Sequence, residues 1–254
     1  MIRIGPAGSS GLGNFEGLNK AFGLGLKAFE CQFTYGVRMS KIEALDIGTL
    51  AKKLGIQLSC HAPYYINLAS IEPKKIIASK ERILDSCKMA NFLGAKYVVF
   101  HAGFYQKRSS EEIYDLIKSE ILDMQNKLSE NKWNVELAPE VTGKPSQFGS
   151  LDELLQLRKD TGCNLCVDFA HIKARSGGYI DYDQIFTKLK KLNYIHSHFS
   201  GIEWTDKGER RHLLLDSDDI IVLLRHILKY KVNITIINES PDTFGDAVKI
   251  LNLL

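Results

Sequence analysis

Long hydrophobic runs are missing from this sequence. No stretch approaches the roughly 18 to 20 apolar residues that cross a bilayer, and the segment from Met1 to Pro6 lacks the apolar stretch of a secretory signal. An excess of charge of one sign is missing as well, because 33 basic residues face 30 acidic ones and leave a formal charge of +3. This balance neither requires nor excludes nucleic acid as a partner. We expect a soluble, cytoplasmic protein without a membrane partner.

Cysteine is too scarce for a disulfide framework. The five cysteines are an odd number and lie mostly in apolar segments, which indicates reduced thiols. Cys163 and Cys166 have the spacing of half a zinc site, but no second pair accompanies them. The run from Asn164 to Asp168 is more typical of a buried strand. We therefore interpret this cysteine pair as part of the core.

Short β-branched or apolar runs recur along the whole chain and predict eight strands. The runs are 3–5, 28–33, 57–60, 97–100, 134–137, 165–167, 194–196 and 234–237. Segments with helical spacing lie between them. Predicted helix starts are Ser40, Ser110, Ser150 and Ser217, and Ser150 begins a capping-box pattern that ends at Glu153. Predicted helix ends are Gly55, Gly94 and Gly162.

The predicted strands follow one another about every 33 residues, which is the length of one strand, one helix and short loops. No Pro-rich or Ser-rich linker interrupts the series, and no GxGxxG sequence opens it. We therefore predict an α/β fold in which residues 1–254 form a single (β/α)8 TIM barrel rather than a doubly wound open sheet. In this fold the active site lies at the C-terminal ends of the strands.

Six successive predicted strands end in a side chain that can bind a metal. These side chains are His61, His101, Glu140, Asp168, His198 and Glu239. One such residue alone is more often a hydrogen-bonded rim residue, but six at equivalent positions favour a shared cation, which compensates all of their buried charges. Histidine mixed with carboxylates suits Zn²⁺ or Mn²⁺ in a catalytic site. His196 precedes His198 by two residues on the same face, and we interpret it as a deeper core or supporting residue.

Further candidates lie in predicted loops. His171 follows Asp168 by three residues, and His212 ends the basic run that begins at Lys207. Other basic residues follow the third and sixth strands, namely Lys74, Lys75, Lys80, Arg82, Lys173 and Arg175. Solvated helix faces and loops also carry such charges, but their joint position near a metal centre favours a substrate that bears phosphate.

The sequence resembles the endonuclease IV family of apurinic/apyrimidinic DNA-repair enzymes through nearly the whole chain. The most telling stretches are HAPYYINLA at 61–69, FHAG at 100–103, PEVTG at 139–143, VDFAH at 167–171, HFSG at 198–201 and NES at 238–240. Their order, character and spacing together are specific, although no single stretch would be. Xylose-isomerase-like barrels share this fold and some of the ligands, so a sugar isomerase or epimerase stays an alternative.

The resemblance implies a cluster of up to three zinc ions. His61 and His101 would bind the first ion, and Glu140 would bridge it to a second ion that is also held by Asp168, His198 and Glu239. A third ion would use His171 and His212. The bridging Glu140 is the residue that we expect to be catalytic.

The sequence departs from the family at the third ion. A carboxylate normally stands two residues before the last histidine, and Arg210 occupies that position here. A guanidinium cannot bind a cation, because it stays protonated in proteins. Either Asp206 or Glu209 replaces the missing carboxylate, or the third site is weak or empty and Arg210 itself holds the phosphate of the substrate. The first two ions are unaffected.

The resemblance also implies double-stranded DNA with abasic sites as the partner. The residues at positions that contact DNA in the family are Arg38, Tyr64 and Tyr65. We add Arg210 to the predicted DNA contacts because its positive charge can bind a phosphate. The implied reaction is hydrolysis of the phosphodiester 5′ to the abasic site, which leaves a 3′-hydroxyl and a 5′-deoxyribose phosphate. We expect a monomer. A protein that binds abasic sites without cutting them is a further alternative.

Overall fold

The computed structural model describes all of residues 1–254. Twelve strands occur along the chain: β1 (Ile2–Pro6), β2 (Ala28–Gln32), β3 (Gln57–His61), β4 (Tyr97–Phe100), β5 (Gly103–Phe104), β6 (Glu136–Pro139), β7 (Gln147–Phe148), β8 (Cys166–Asp168), β9 (Ile195–Phe199), β10 (Gly201–Thr205), β11 (Gly208–Leu213) and β12 (Ile234–Asn238). Nine helices accompany them: α1 (Asn14–Gly23), α2 (Lys41–Leu54), α3 (Pro73–Leu93), α4 (Ser110–Glu130), α5 (Leu151–Thr161), α6 (Phe169–Arg175), α7 (Tyr182–Leu189), α8 (Ser217–Tyr230) and α9 (Thr243–Asn252).

Eight of these strands form a closed parallel barrel. One four-stranded sheet has the order β1, β12, β9, β8, and the other has the order β2, β3, β4, β6. Single backbone bridges join the two sheets, one between Ala7 and Glu30 and one between Glu140 and Cys166. The barrel strands agree with the eight predicted strands to within three residues at each end, and the predicted α/β barrel is confirmed.

Gly5 allows the barrel to close between β1 and β2. A Cβ atom at this position would lie 2.0 Å from the carbonyl oxygen of Ala28, so any larger residue would push the strands apart. Backbone hydrogen bonds hold the seam on either side. Lys27 N–H donates to the Ile4 carbonyl at 3.0 Å, and Gly8 N–H donates to the Glu30 carbonyl at 2.8 Å.

Side-chain and glycine caps set the lengths of the helices. Ser150 and Glu153 form the predicted capping box of α5, and the predicted C-terminal glycines of α2, α3 and α5 are left-handed. Two predicted starts are wrong by one residue. Ser109 caps α4 in place of Ser110, and Asp216 caps α8 in place of Ser217, because in each case the earlier side chain accepts the free backbone N–H of the first turn.

The main hydrophobic core lies between the strands and the surrounding helices. A smaller apolar cluster of Tyr97, Val99, Ala138 and Cys166 is separate from it. Cys166 is therefore part of a buried strand, as predicted, and all five cysteines are free. None of the helices combines the length and the apolar character needed to cross a membrane.

A short antiparallel hairpin follows β9 and reaches the C-terminal end of the barrel. It consists of β10 and β11, and its register shifts between Glu203 and Trp204. The hairpin packs against α6. As a result, the ring of His212 from β11 lies 5.4 Å from the ring of His171 in α6, measured between centroids.

Candidate metal centre

The six predicted ligand side chains meet at the C-terminal mouth of the barrel. They end or directly follow six barrel strands: His61 on β3, His101 after β4, Glu140 after β6, Asp168 on β8, His198 on β9 and Glu239 after β12. Because parallel strands in a barrel end at one mouth, residues far apart in sequence become neighbours there. We call this group of residues, together with His171, Glu209 and His212, the metal centre.

Glu140 lies at the middle of the metal centre and is almost fully buried. Its Oε2 atom lies 2.8 Å from Nε2 of His101 and 3.2 Å from Nε2 of His61. Its Oε1 atom lies 2.7 Å from Nδ1 of His198. The two oxygens of one carboxylate therefore face histidines of different strands, which is the arrangement that a bridging ligand needs.

Two sets of possible ligand atoms share Glu140. In each set every ligand atom lies within 4.8 Å of all the others. The first set consists of His61, His101 and Glu140, and the second set consists of Glu140, Asp168, His198 and Glu239. The structure thus brings together the same residues that the sequence places on the first and second ions.

The third set contains a carboxylate that is not at the usual position. His171, Glu209 and His212 bring their ligand atoms within 4.8 Å of one another. Arg210 instead forms an ion pair with Glu203 at 2.8 Å, and its side chain is 65% exposed. Asp206 lies exposed in the turn of the hairpin. Of the two carboxylates left open by the sequence, Glu209 is therefore the one whose position can complete the third set.

Gly143 makes room for this third set. A Cβ atom at Gly143 would lie 2.6 Å from Cβ of Glu209 and 3.0 Å from Cδ2 of His171. The backbone N–H of Glu209 also donates to the Gly143 carbonyl at 3.0 Å. The position of Glu209 therefore depends on a glycine in the loop after β6.

Hydrogen bonds outside the sets orient three of the histidines. Nδ1 of His61 bonds the carbonyl of Ala62 at 2.7 Å, and Nδ1 of His171 bonds the carbonyl of Val141 at 2.9 Å. A carbonyl oxygen only accepts, so Nδ1 carries a proton and Nε2 is the nitrogen that faces the ligand set. Nδ1 of His212 lies 2.7 Å from the Ser200 hydroxyl, which leaves its Nε2 toward Glu209.

Opposite charges in the metal centre shift the ionisation of its members. Burial opposes ionisation of Glu140, but the charges of His198 and His101 hold the pKa of this carboxyl well below its usual range. Burial likewise opposes protonation of His61, but its hydrogen bond to Glu140 raises its pKa to about 9. Without a cation, protonated histidines therefore compensate the buried carboxylates.

The residues fit a divalent cation better than they fit protons. Asp168 Oδ2 and His171 Nε2 are buried and make no hydrogen bond, although Oδ2 lies 3.3 Å from His171 Nδ1 and Nε2 lies 3.4 Å from Glu209 Oε2, and buried polar atoms without hydrogen bonds are costly. The other oxygen of Asp168 accepts the backbone N–H of His171 at 2.7 Å, so only Oδ2 is directed into the second set. Imidazole nitrogens and carboxylate oxygens are the ligands of Zn²⁺ and Mn²⁺.

Sequence reasoning missed Glu30. This residue is the third of β2, is fully buried, and contacts both His196 and His198. The sequence feature that could have indicated it is the presence of a charged residue inside the apolar run 28–33. Cys166, His196 and His198 also bring possible ligand atoms within 4.8 Å of one another, and this group shares His198 with the second ligand set.

The predicted DNA contacts lie at the mouth beside the metal centre. Tyr64 and Tyr65 follow β3 and are 62% and 67% exposed, and the ring of Tyr64 lies 6.2 Å from the ring of His61. Arg38 is exposed and lines a cavity of about 380 Å³ beyond the end of β2, together with Tyr35. The structure therefore places these side chains where a substrate could reach them.

Several of the basic residues singled out in the sequence are engaged within the protein. Lys80 pairs with Glu120 and Asp123, Lys173 pairs with Asp219, Lys75 pairs with Glu72, and Arg175 donates to the carbonyls of Lys144 and Gln147. These four cations stabilise loops and helices of the barrel. A role for them in attracting phosphate stays a prediction.

Known proteins resemble this chain in sequence and in structure. An uncharacterized protein of Methanocaldococcus jannaschii is 38% identical over 99% of this chain and 96% of its own length. A probable endonuclease 4 of Mycoplasma mobile is 27% identical over 71% of this chain and 67% of its own length. The predicted resemblance to endonuclease IV is confirmed.

Solved structures show the same fold. Endonuclease IV from Thermus thermophilus superposes with a TM-score of 0.75 at 21% identity, covering 98% of this chain and 97% of that chain. A D-psicose 3-epimerase superposes with a TM-score of 0.69 at 18% identity, covering 98% of this chain and 89% of that chain. Residues 18–250 match the family model described as the xylose isomerase-like TIM barrel. Because this match spans most of the sequence, the chain belongs to the xylose isomerase-like TIM barrel family.

Proposed function

We propose that the protein is a metal-dependent DNA-repair endonuclease. It hydrolyses the phosphodiester on the 5′ side of an apurinic/apyrimidinic site and leaves a 3′-hydroxyl and a 5′-deoxyribose phosphate. The observation that carries this proposal is the presence of three adjoining ligand sets, two of which share Glu140. Several cations side by side suit the concentrated negative charge of a phosphodiester, and relatives named probable endonuclease 4 support the same activity.

Bound Zn²⁺, or Mn²⁺ in its place, would lower the pKa of a water and neutralise charge on the phosphate. The chain contributes the geometry. Glu140 faces two ligand sets at once, and the outer hydrogen bonds of His61, His171 and His212 direct one nitrogen of each ring toward a set. Glu140 is thus the catalytic residue of this proposal, because it would join the sets in which water and phosphate meet.

The exposed side chains at the mouth would select the substrate. Tyr64 and Tyr65 present aromatic faces on which a base pair can stack, and Arg38 can enter the stack or reach a phosphate. A nucleotide must leave the helix to reach the buried ligand sets. Rotation out of the stack costs least where the base is already missing, so an abasic site would be preferred.

A sugar epimerase is the second candidate, because the chain superposes on a D-psicose 3-epimerase along nearly its whole length. In that reaction Glu140, Asp168 and Glu239 would hold one divalent cation, and a histidine would assist proton transfer. This candidate needs one cation per chain and gives no role to the set of His171, Glu209 and His212. The number of bound cations therefore separates the two candidates.

The decisive experiment uses the zinc-loaded protein and a short DNA duplex that carries one tetrahydrofuran abasic analogue. We expect a single nick 5′ to the analogue, a 3′-hydroxyl at the nick, and more than one zinc ion per chain by elemental analysis. The same duplex with an intact base is the matched control and should stay uncut. Retarded but uncut DNA would support a non-cleaving binder. Absence of any DNA interaction, with one metal per chain and turnover of a ketose, would support the epimerase.

A further inference from the structure

A fully buried carboxylate lies directly below the metal centre and belongs to none of its ligand sets. The two oxygens of Glu30 are each contacted twice. Oε1 lies 3.1 Å from Nε2 of Gln32 and 3.0 Å from Nε2 of His198. Oε2 lies 2.8 Å from the Ser59 hydroxyl and 3.0 Å from Nε2 of His196. Since its contacts are with polar groups of the protein, Glu30 acts as an internal anion of the barrel.

His198 joins this anion to the metal centre. Its Nδ1 lies 2.7 Å from Glu140 Oε1 and 3.4 Å from Glu239 Oε1, while its Nε2 lies 3.0 Å from Glu30 Oε1. The two ring nitrogens thus face opposite sides. Carboxylates thus flank both nitrogens, and the contact with Glu30 is close but not aligned as a hydrogen bond. If a cation took the lone pair of Nδ1, the one proton of the neutral ring would be left on Nε2, on the side of Glu30.

We infer that Glu30 is a positioning residue that holds His198 with Nδ1 directed into the second ligand set. This inference rests on the proposed binding of metal at that set. A histidine that binds a metal commonly has a carboxylate on its other nitrogen, which fixes the ring and makes it a stronger ligand. In the other histidines for which an outer contact is found, that partner is a carbonyl or a hydroxyl. His198 is the one with a carboxylate there that belongs to none of the ligand sets, since the carboxylate near Nδ1 of His171 is the ligand candidate Asp168.

The surroundings of Glu30 explain why the carboxylate stays in place. His196 precedes His198 on β9 and reaches the other oxygen of Glu30, and its ring packs on Tyr97 with centroids 5.0 Å apart. Ser59 on the neighbouring strand β3 supplies a hydroxyl donor. A buried charge is tolerated only when its partners compensate it. The sequence left open whether His196 is a core residue or a supporting residue. Its contact with Glu30 makes it a supporting residue.

The test measures zinc affinity by competition with a chromophoric chelator, so it does not depend on DNA cleavage. We expect Glu30→Gln to weaken the binding of one zinc ion by about 10-fold to 100-fold, the usual effect of removing such an outer carboxylate. Asp160→Asn is the matched control, because Asp160 pairs with Lys118 on the surface at the end of α5. This control should bind zinc as the unmodified protein does. Glu30→Asp, which keeps the anion, should fall between the two.

A double-mutant cycle shows whether Glu30 acts through His198. In a His198→Asn background, Glu30→Gln should weaken zinc binding no further, whereas in a His61→Asn background its full effect should persist. Additive effects with His198→Asn would overturn the inference, as would an affinity for Glu30→Gln within twofold of the unmodified protein.

The same titrations separate this inference from the proposed function. If Glu30→Gln does not fold, Ser59→Ala serves instead, since it keeps the charge but removes a donor to Glu30. It should weaken zinc binding in the same direction by a smaller factor, and an unchanged affinity would count against the inference. If the unmodified protein binds no zinc, the proposed function fails. If it binds zinc and Glu30→Gln binds equally well, only the role of Glu30 fails.

Discussion

Oε1 of Glu140 lies 2.7 Å from Nδ1 of His198, although 58 residues separate the two in sequence. Glu140 follows β6 in one of the four-stranded sheets, and His198 lies on β9 in the other. Their contact therefore exists only because the two sheets close into one barrel. The metal centre depends on the same closure, since its first two ligand sets share this carboxylate.

Glu140→Gln should remove most of the activity. The change keeps the size of the side chain but removes the negative charge that faces His61, His101 and His198. We expect the loss of at least one zinc ion per chain. Nicking should fall by more than about 100-fold. Removal of a residue that only contacts a metal ligand lowers activity by up to about 100-fold, and loss of the shared ligand itself should cost more. Elemental analysis and the abasic-duplex assay measure the two effects.

Glu136→Gln is the control for this prediction. Glu136 begins β6, at the opposite end of the strand from Glu140, and pairs with Lys96 near the surface. Its replacement should leave zinc content and nicking within about twofold, because exposed ion pairs contribute little. Wild-type metal content and activity in Glu140→Gln would show that the two-set arrangement is wrong.

The residues of the first two ligand sets could be predicted from sequence because each ends an apolar run. Because the strands of the barrel are parallel, their C-terminal ends all lie at the same mouth. The sequence could not show whether Glu209 or Asp206 replaces the missing carboxylate, because only the register of the β10–β11 hairpin decides which side chain faces His171. Glu30 was missed because a charged residue within a strand gives no sign of which way it faces until the partner strands are known. That residues 1–254 form one domain stays a prediction.

Glu209→Gln and Arg210→Asp should have opposite outcomes although the residues are neighbours. Glu209 faces His171 and His212, so its replacement should lower the zinc content by about one ion per chain. Arg210 pairs with Glu203 outside the set, so a carboxylate at 210 should leave the zinc content unchanged. Elemental analysis of both variants is the measurement. A rise in zinc for Arg210→Asp would mean that Glu209 does not complete the third set.

Gly143→Ala should weaken the third set without removing any ligand. The added methyl group would lie 2.6 Å from Cβ of Glu209, so either the carboxylate or the loop after β6 must move. We expect a lower affinity for one zinc ion, while the other ions are retained. Chelator competition measures the loss. Gly23→Ala is the matched control for an added methyl group alone, because a Cβ atom there meets nothing within 4 Å and, as at Gly143, φ is not positive.

Zinc affinity should rise with pH. Burial opposes protonation of His61, but its hydrogen bond to Glu140 raises its pKa to about 9, so zinc must displace a proton from this ring at any pH below about 9. Each proton displaced changes the affinity about tenfold per pH unit. In His61→Asn, the slope of log affinity against pH should be shallower by about one proton. An unchanged slope in that variant would show that His61 is not the group that releases the proton.

The same shift predicts how the metal-free protein responds to pH. A histidine whose pKa is raised on folding contributes stability below its unfolded pKa of 6.5, and this contribution is lost as the pH rises through about 9. The melting temperature of the metal-free protein should therefore fall over this range. With zinc bound, the proton has already been replaced, so the fall should be smaller. Calorimetry with and without chelator measures the difference.

Tyr64→Ala should weaken DNA binding without loss of stability. The ring is 62% exposed, so little packing is lost, and it lies 6.2 Å from the ring of His61, where an extruded nucleotide would pass. Stacking of a base on an aromatic ring contributes about 1 to 3 kcal/mol, so affinity for the abasic duplex should fall by about 5-fold to 150-fold. Phe22→Ala is the matched control, because Phe22 is 47% exposed at the far end of α1. Equal affinities of the two variants, measured by gel retardation with the chelated protein, would remove Tyr64 from the DNA contacts.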